Sequence, residues 1–198
     1  SGKDSTLVEK FVKVSPEMAR FVEESSPIIW KAMSSPDSFA EQPGGRDSGR
    51  HIEVSPLAAG KLAPLEEDFW LSNYPAIFTN DEVFDQRLLI GGEIPEKLAE
   101  ERIRFGMVCT GIGLIVGLMQ GCLDQGVKFE RNVRAVRLLN SQDKSISGVV
   151  VERGDVEEEI YSNRGVVLAT GGFEWNEKMR ANLSGGHMTH AVSPPLHQ

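Results

Sequence analysis

The residues whose types could carry chemistry lie in one short turn, Thr170-Gly171-Gly172-Phe173. This turn follows directly on residues 165–169, an apolar run without alternation that predicts a strand buried on both faces of a parallel sheet. In open α/β sheets, ligands bind outside the carboxyl ends of the strands. A threonine hydroxyl and two glycines at that place would let a ligand lie close against the backbone. A turn without a ligand would need the same glycines, so the motif alone leaves both interpretations open.

Other residue types that often form sites give weaker patterns. His187 and His190 are three residues apart without an acidic or cysteine ligand beside them, so we expect no metal site. A serine nucleophile is not indicated because no Gly-x-Ser-x-Gly sequence occurs. Arg46 and Arg50 could each bind a carboxylate or phosphate through two hydrogen bonds, or they could be ordinary surface charges.

The two cysteines, Cys109 and Cys122, stand in apolar surroundings of one predicted helical region. A disulfide between them would require a sharp bend in that region. We therefore expect two small buried thiols in a protein of the reducing cytoplasm.

Composition excludes some classes of partner. The 198 residues carry a formal net charge of -8, and neither a basic stripe nor a basic tail is present. This balance argues against broad contact with nucleic acid or with an anionic membrane. No stretch reaches the ~18 apolar residues that a membrane-spanning helix needs.

The N-terminal part of the chain predicts helices and a long loop. Apolar residues at three- and four-residue spacing predict an amphipathic helix over 5–24, which Pro16 should split in two. Residues 34–64 are rich in Ser, Pro and Gly, which makes an ordered strand or helix improbable there. Short helical pieces are expected within 65–90, and a charged helix over 96–105.

The strongest local pattern is a helix over 110–125 that is apolar on almost every side, which predicts deep burial. Gly113, Gly117 and Gly121 align on one face of it. Each glycine costs ~1 kcal/mol of helix propensity relative to alanine. Another backbone or a ligand should therefore pack very close to this face, and close packing of the helix on a sheet is the simpler interpretation.

Gly126 should end this helix, and a series of strands follows. Alternation and tight polar turns predict strands over 127–130, 133–139, 146–152 and 156–161, the last three forming an antiparallel meander. The buried strand 166–169 should lie beside strand 127–131 in a parallel sheet, with the meander projecting from one edge.

These elements predict an α/β fold in which the chain forms part of a doubly wound domain. We expect a helical and loop-rich segment over 1–105, half of a ligand-binding domain over 106–176, and the start of a truncated, substrate-side segment over 177–198.

The run from Val127 to Gly172 resembles the second half of the FAD domain in the fumarate reductase and 3-ketosteroid Δ1-dehydrogenase flavoprotein family. Helix 111–125 is similar to the helix that precedes these strands in the family, and Pro43-Gly44-Gly45-Arg46 is similar to a loop of the ketosteroid dehydrogenase branch. The residues that carry the resemblance are Gly126-Val127-Lys128-Phe129-Glu130-Arg131-Asn132-Val133, Ser147-Gly148-Val149-Val150 and Val166-Val167-Leu168-Ala169-Thr170-Gly171-Gly172-Phe173-Glu174-Trp175-Asn176.

The resemblance implies a partial doubly wound FAD-binding domain, with a parallel sheet plus an antiparallel β-meander and an N-terminal mostly helical and loop segment. It also implies FAD as the cofactor of the parent enzyme. By the same resemblance, the backbone at Val133 lies against the adenine, and the turn of Ala169, Thr170, Gly171 and Gly172 passes near the dinucleotide.

The sequence departs from the family pattern in one respect: no Gly-x-Gly-x-x-Gly loop occurs, and that loop holds the FAD pyrophosphate in the family. The resemblance therefore predicts an internal fragment that binds FAD weakly or not at all, that is inactive by itself, and that self-associates through an unpaired sheet edge and the exposed part of the apolar helix 112–123. The catalytic tyrosines of the family fall outside residues 1–198, and neither Tyr74 nor Tyr161 matches them, so the catalytic residues stay unknown.

For the parent protein, the resemblance implies an enzyme that dehydrogenates or reduces a C–C bond next to a carbonyl. A steroid or other flat hydrophobic ketone is the leading substrate class, and a dicarboxylate of the fumarate type is the alternative. A chain that acts as a structural module without flavin is the alternative from a different class.

Overall fold

The computed structural model describes residues 5–60, 77–142, 145–183 and 185. They fall into two compact units, one within residues 1–128 and the other within 129–198. The three-segment division with boundaries at 105 and 176 stays a prediction. The elements in chain order are α1 Ser5–Ser25, β1 Trp30–Ala32, β2 Ile52–Val54, β3 Leu57–Ala58, α2 Asn80–Asp85, a 3-10 helix Leu88–Ile90, α3 Glu96–Arg104, β4 Met107–Val108, α4 Thr110–Asp124, β5 Arg134–Asn140, β6 Ile146–Arg153, β7 Val156–Tyr161 and α5 Glu177–Leu183.

The first unit is built around α4, which contacts β2 and α1. Its described strands form two small antiparallel pairs, β1 with β2 and β3 with β4. The glycine face of α4 lies against other parts of the chain: a side chain at Gly117 would collide with Ile28, and a Cβ at Gly121 would lie 2.5 Å from the carbonyl oxygen of Ser25. The expected close packing of another backbone on this face is thereby confirmed, and it requires no ligand.

Burial of α4 is more one-sided than the sequence predicts. Gly113, Val116, Gly117 and Gly121 are buried, whereas three of its large apolar side chains remain 37–46% exposed. The expectation of burial on almost every side was wrong because, within the described residues, the chain covers only the glycine face. The three exposed side chains are Ile115, Leu118 and Leu123.

Helix α1 is one continuous helix with Pro16 inside it, so the predicted split at that proline was wrong. Proline removes one backbone donor from the helix interior. The hydroxyl of Ser15 donates to the carbonyl oxygen of Phe11 at 2.7 Å, a local hydrogen bond in the turn that the proline disturbs.

The loop expected over 34–64 contains two short strands, β2 and β3, so the exclusion of ordered strands there was wrong. Pairing with β1 and β4 overrides the local preference for turns. Helix α3 confirms the charged helix expected over 96–105. Helix α2 and the 3-10 helix confirm the short helical pieces within 77–90, and residues 65–76 lie outside the described residues.

Gly126 ends α4 as predicted, with a φ of 79°. Its N–H donates to the carbonyl of Leu123, and the N–H of Val127 donates to Cys122, which together form a Schellman motif. The meander is also confirmed: β5, β6 and β7 form an antiparallel sheet in that order, with Val150 of the central strand fully buried.

The predicted strands 127–130 and 166–169 are absent, and no described pair of strands is parallel. Val127 uses its N–H in the helix cap, which removes it from any ladder. Residues 166–169 are exposed or half-buried, Val167 being 92% exposed. A strand exists only through hydrogen bonds to a neighbour, and no strand in the described ranges pairs with this run, so the expected burial between parallel strands was wrong.

None of the described helices has the length and apolar character needed to cross a bilayer.

Candidate functional site

The residues predicted to contact a cofactor all lie in the second unit. Val133 is half-buried immediately before β5, and the preceding Asn132 has a positive φ of 57°. Ala169, Thr170, Gly171 and Gly172 lie on an exposed segment between β7 and α5. Among the described residues, no hydrogen bond joins Val133 to this turn, and that both contact one cofactor stays a prediction.

The segment that leads to the turn of residues 169–172 begins at Ser162, where the meander ends. The N–H of Ser162 donates to the carbonyl of Ser147 at 2.8 Å and so closes the ladder of β6 and β7. The hydroxyl of Ser162 donates to the carbonyl of Gly165 at 2.6 Å, and the N–H of Gly165 donates back to that hydroxyl. These hydrogen bonds fix a tight corner, after which residues 166–172 run without regular structure.

Two backbone features of the turn are those of a close-approach surface. Gly171 has a φ of 74°, a conformation that strains any residue with a side chain. A Cβ at Gly172 would collide with the carboxylate of Glu174, so that carboxylate lies directly against the glycine. The backbone here is open to solvent, with one carboxylate at its border.

Helix α5 anchors the far end of the turn. Asn176 accepts a hydrogen bond from the N–H of Met179 at 3.0 Å through its side-chain oxygen, which is the geometry of a helix N-cap. Arg180 is 8% exposed, and its guanidinium donates to the backbone carbonyl of Glu174. Sequence reasoning did not single out Arg180. Asn176, directly before the first helical residue Glu177, was the available signal for the cap.

Tyr161 is 70% exposed at the end of β7 and donates to Glu159 at 2.6 Å. That hydrogen bond raises the pKa of Tyr161 above its ordinary value. That Tyr161 is not a catalytic tyrosine stays a prediction.

The first unit holds a buried ion pair that sequence reasoning missed. Arg102 is 7% exposed and donates to both carboxylate oxygens of Glu82 at 2.5 Å, as well as to the carbonyl of Ile77. Burial alone would raise the pKa of Glu82, but hydrogen bonds from Arg102 and Thr79 outweigh it, and the pKa lies below its ordinary value. The two residues of the pair are twenty positions apart in the sequence, so no local sequence pattern predicts it.

The N-terminus of α2 is the second part of this buried cluster. Thr79 and Glu82 form a capping box, each accepting from the backbone N–H of the other. Glu53 is 5% exposed and accepts from the N–H of Asn80 at 2.6 Å. Asp81 accepts three hydrogen bonds from Ser34 and pairs with Lys31 at 3.3 Å. These carboxylates are occupied by backbone and side-chain donors, so the cluster joins elements and is not an open site.

Cys109 lies beside this cluster, with its sulfur near Arg102 and the carbonyl of Ile77. Burial raises the pKa of Cys109 to about 11. The thiol therefore stays protonated near neutral pH and is not a nucleophile. Cys122 is half-buried, and both cysteines are free thiols as predicted.

Arg50 braces its own loop. It pairs with Asp37 at 2.7 Å and donates to the carbonyl of Gly44 at 2.5 Å. Asp37 also accepts from the N–H of Arg46 at 3.0 Å. These contacts assign Arg50 a structural role in place of the anion-binding role that the sequence left open.

His51 is exposed, and the other three histidines lie outside the described residues. In the part of the chain that is described, no group of His, Cys, Asp and Glu side chains is arranged to hold a metal ion.

Comparison with known proteins decides the family. The model of the FAD binding domain matches residues 1–194. The chain belongs to this FAD-binding domain family. It is 27% identical over 198 residues to 4-oxocyclohexanecarboxylate 2-dehydrogenase of Sinomonas cyclohexanicum, covering 97% of the chain and 34% of that protein. It is 30% identical over 207 residues to 3-oxosteroid 1-dehydrogenase of Mycolicibacterium smegmatis, covering 92% of the chain and 35% of that protein.

A solved structure has the same fold. The crystal structure of 3-ketosteroid delta1-dehydrogenase from Sterolibacterium denitrificans, in complex with 1,4-androstadiene-3,17-dione, superposes with a TM-score of 0.69 at 20% identity. The superposition covers 87% of this chain and 35% of that protein. The chain thus spans about a third of the length of the relatives it matches, and the partial FAD-binding domain predicted from the sequence is confirmed.

Proposed function

We propose that this chain is a section of an FAD-dependent dehydrogenase that acts on a cyclic ketone, most like a 3-ketosteroid Δ1-dehydrogenase. The observation that carries the proposal is that relatives aligned over nearly the whole chain are named for dehydrogenation of a ring ketone or a 3-oxosteroid. In such a reaction two hydrogens leave a C–C bond next to the carbonyl. FAD bound to the parent enzyme would supply the acceptor for one of them as hydride, and the other would leave as a proton.

Within this chain, Val133 and the turn of Ala169, Thr170, Gly171 and Gly172 are the residues that contact FAD in our proposal. The open backbone at Gly171 and Gly172 supports it, since a flat ring or sugar can approach there without meeting a side chain.

The carboxylate of Glu174, which lies against Gly172, limits which part of FAD can bind at the turn. A carboxylate accepts hydrogen bonds from hydroxyl groups and repels phosphates. The turn therefore suits the adenosine and hydroxyl-bearing parts of FAD and not its pyrophosphate. The sequence contains no glycine loop of the kind that holds the pyrophosphate, so the residues present fit only part of the cofactor.

For the isolated chain, we propose weak or absent FAD binding, no dehydrogenase activity, and self-association through its exposed apolar side chains. Val167, at 92% exposure, and the apolar side chains of α1 support the last point. We also propose a cytoplasmic location, because two unpaired thiols are typical of a reducing compartment. A dicarboxylate substrate, the alternative from the sequence, has no observation in its favour.

The first test is a flavin-fluorescence titration of the purified 198-residue chain with FAD. We expect a dissociation constant well above the micromolar range, and submicromolar binding would contradict us. The second test uses a longer polypeptide expressed with the flanking coding sequence. It should retain FAD and dehydrogenate a 3-oxosteroid or a cyclohexanone in preference to reducing fumarate, and a longer product without flavin would support the structural-module alternative.

A matched pair of variants in the longer polypeptide tests the proposed contact. Gly171→Ala and Gly154→Ala replace glycines with similar φ values, 74° and 62°, so their backbone strain is comparable. Gly171→Ala should lower FAD retention, and Gly154→Ala, in the turn between β6 and β7, should not. Equal retention in both variants would remove the turn from the proposed site.

A further inference from the structure

Helix α1 exposes a regular row of large apolar side chains. Its members follow one another at intervals of four and three residues, and they are 42–73% exposed. The row consists of Leu7, Phe11, Val14, Met18 and Phe21, and Ser25 continues it at the same spacing. We call it the α1 seam. Alternating spacings of four and three are those of the core positions in a two-stranded coiled coil.

The seam from Leu7 to Met18 lies apart from Ala19, Val22 and Ser25, at which α1 contacts its own unit; only the C-terminal end of the seam, at Ser25, also packs against α4. The indole N–H of Trp30 donates to the carbonyl of Ala19 at 3.1 Å, and Val22 is half-buried on the same side of the helix. Pro16 falls at the coiled-coil position that points away from the seam, so the backbone donor that it lacks does not interrupt the apolar row.

We propose that the α1 seam pairs with the α1 seam of a second copy of this chain, running antiparallel to it. In this pairing Phe11 faces Phe21 of the second copy, Val14 faces Met18, and Leu7 faces Ser25. The inference deepens the self-association proposed above, on which it rests, by naming the surface that carries it.

Charge complementarity fixes the direction. Lys10, Glu17 and Glu24 flank the seam on one side at seven-residue intervals. In the antiparallel arrangement Lys10 lies beside Glu24 of the second copy, and symmetry makes this contact twice, whereas Glu17 meets its own copy once. A parallel pair would place Lys10 beside Ser15 and Glu17 beside Val22, with no opposite charges in contact.

Shape supports the same arrangement. Beside Ser25, the small residue of the seam, lies a cavity of about 330 Å³ lined mainly by apolar side chains. The antiparallel pairing brings Leu7 of the second copy to this end of the seam, where its side chain would fill the cavity. The lining residues include Phe21, Val22, Leu118, Cys122 and Val127.

Sedimentation equilibrium of the 198-residue chain across a concentration series tests the proposal, with circular dichroism as a check that each variant is folded. The unmodified chain should dimerise. Lys10→Glu and Glu24→Lys should each weaken the dimer about tenfold, because each turns two attractive contacts into repulsive ones. The double variant, Lys10→Glu with Glu24→Lys, should restore the original affinity to within about threefold.

Glu9→Lys is the matched control, since it makes the same charge change as Glu24→Lys on the outer face of the helix. It should leave the dimer unchanged, and Glu17→Gln should strengthen it by removing the repulsion at the symmetry axis. A chain that is monomeric at every concentration would overturn both self-association and the seam pairing. Association that ignores the Lys10 and Glu24 changes, or that the double variant does not restore, would overturn the seam pairing alone. Neither result bears on FAD, which the fluorescence titration tests separately.

Discussion

The cluster around Arg102 buries charged side chains, whereas the segment 165–172 exposes apolar ones. Arg102 and Asp81 are charged groups that the first unit buries, Glu82 is half-buried beside them, and all three are surrounded by donors and acceptors of the unit itself. Residues 166–172 are apolar or small, and they lie exposed or half-buried without a strand partner in the described ranges. The first unit satisfies the charges of its cluster with its own donors and acceptors, whereas the side chains of residues 166–172 stay largely in solvent.

The sharpest way to break this comparison is to remove one partner of the buried pair. Arg102→Met should destabilise the chain by about 2–4 kcal/mol, because the carboxylate of Glu82 is left largely buried and without its main donor. The urea midpoint, followed by circular dichroism, measures the loss. Arg104→Met changes an exposed arginine on the same helix and should cost less than about 0.5 kcal/mol. Equal losses in the two variants would mean that the buried pair contributes no more than a surface charge.

The next largest effect concerns the glycine face of α4. Gly117→Ala should destabilise by about 1–3 kcal/mol, since the added methyl group collides with Ile28 and lies 3.1 Å from Leu57. Gly111→Ala is the control, because a Cβ there has nothing within 4 Å, and it should be neutral or slightly stabilising. Thermal denaturation of both variants distinguishes close packing from a simple preference for alanine in a helix. A neutral Gly117→Ala would contradict the packing.

Acid should weaken the buried cluster by a smaller amount. The pKa values of Asp81 and Glu82 lie below their ordinary values, so their contribution to stability is present above roughly pH 4 and is lost as the pH falls through the lowered folded values. Urea midpoints measured between pH 6 and pH 3 should therefore fall in the unmodified chain. Glu82→Gln should flatten that profile, and Glu100→Gln, an exposed carboxylate on α3, should not. Identical profiles for the two variants would show that Glu82 does not carry the acid sensitivity.

The smallest effect is expected in the exposed segment. Val167→Ser should change the stability of the 198-residue chain by less than about 0.5 kcal/mol, because its side chain is 92% exposed. Val150→Ala, which empties a fully buried position in β6, should cost about 1–3 kcal/mol in the same denaturation experiment. A large loss from Val167→Ser would place residue 167 in a core and restore the buried strand expected from the sequence.

Features with a local cause were predictable. The meander follows from alternating residues and the Gly154-Asp155 turn, and the end of α4 follows from a glycine that can adopt a positive φ at 126. Pro16 misled the prediction because a proline removes only one backbone hydrogen bond, and the 21-residue helix continues through it. The prediction of strand 166–169 was wrong because an apolar composition shows only that these residues could be buried. A strand forms only when it is hydrogen-bonded to a neighbouring strand.

The candidate site divides in the same way. Sequence by itself determined the family and the meander, since those depend on residue order; the cofactor contacts at Val133 and Ala169 to Gly172 stay a prediction. Only the tertiary structure decided that the turn is exposed to solvent with the carboxylate of Glu174 against Gly172, and that Arg102 forms an ion pair with Glu82. The physical reason is distance along the chain. A local sequence pattern does not show which charge, twenty residues away, will pair with Arg102. It also does not show which strand, if any, will pair with residues 166–169 and bury them.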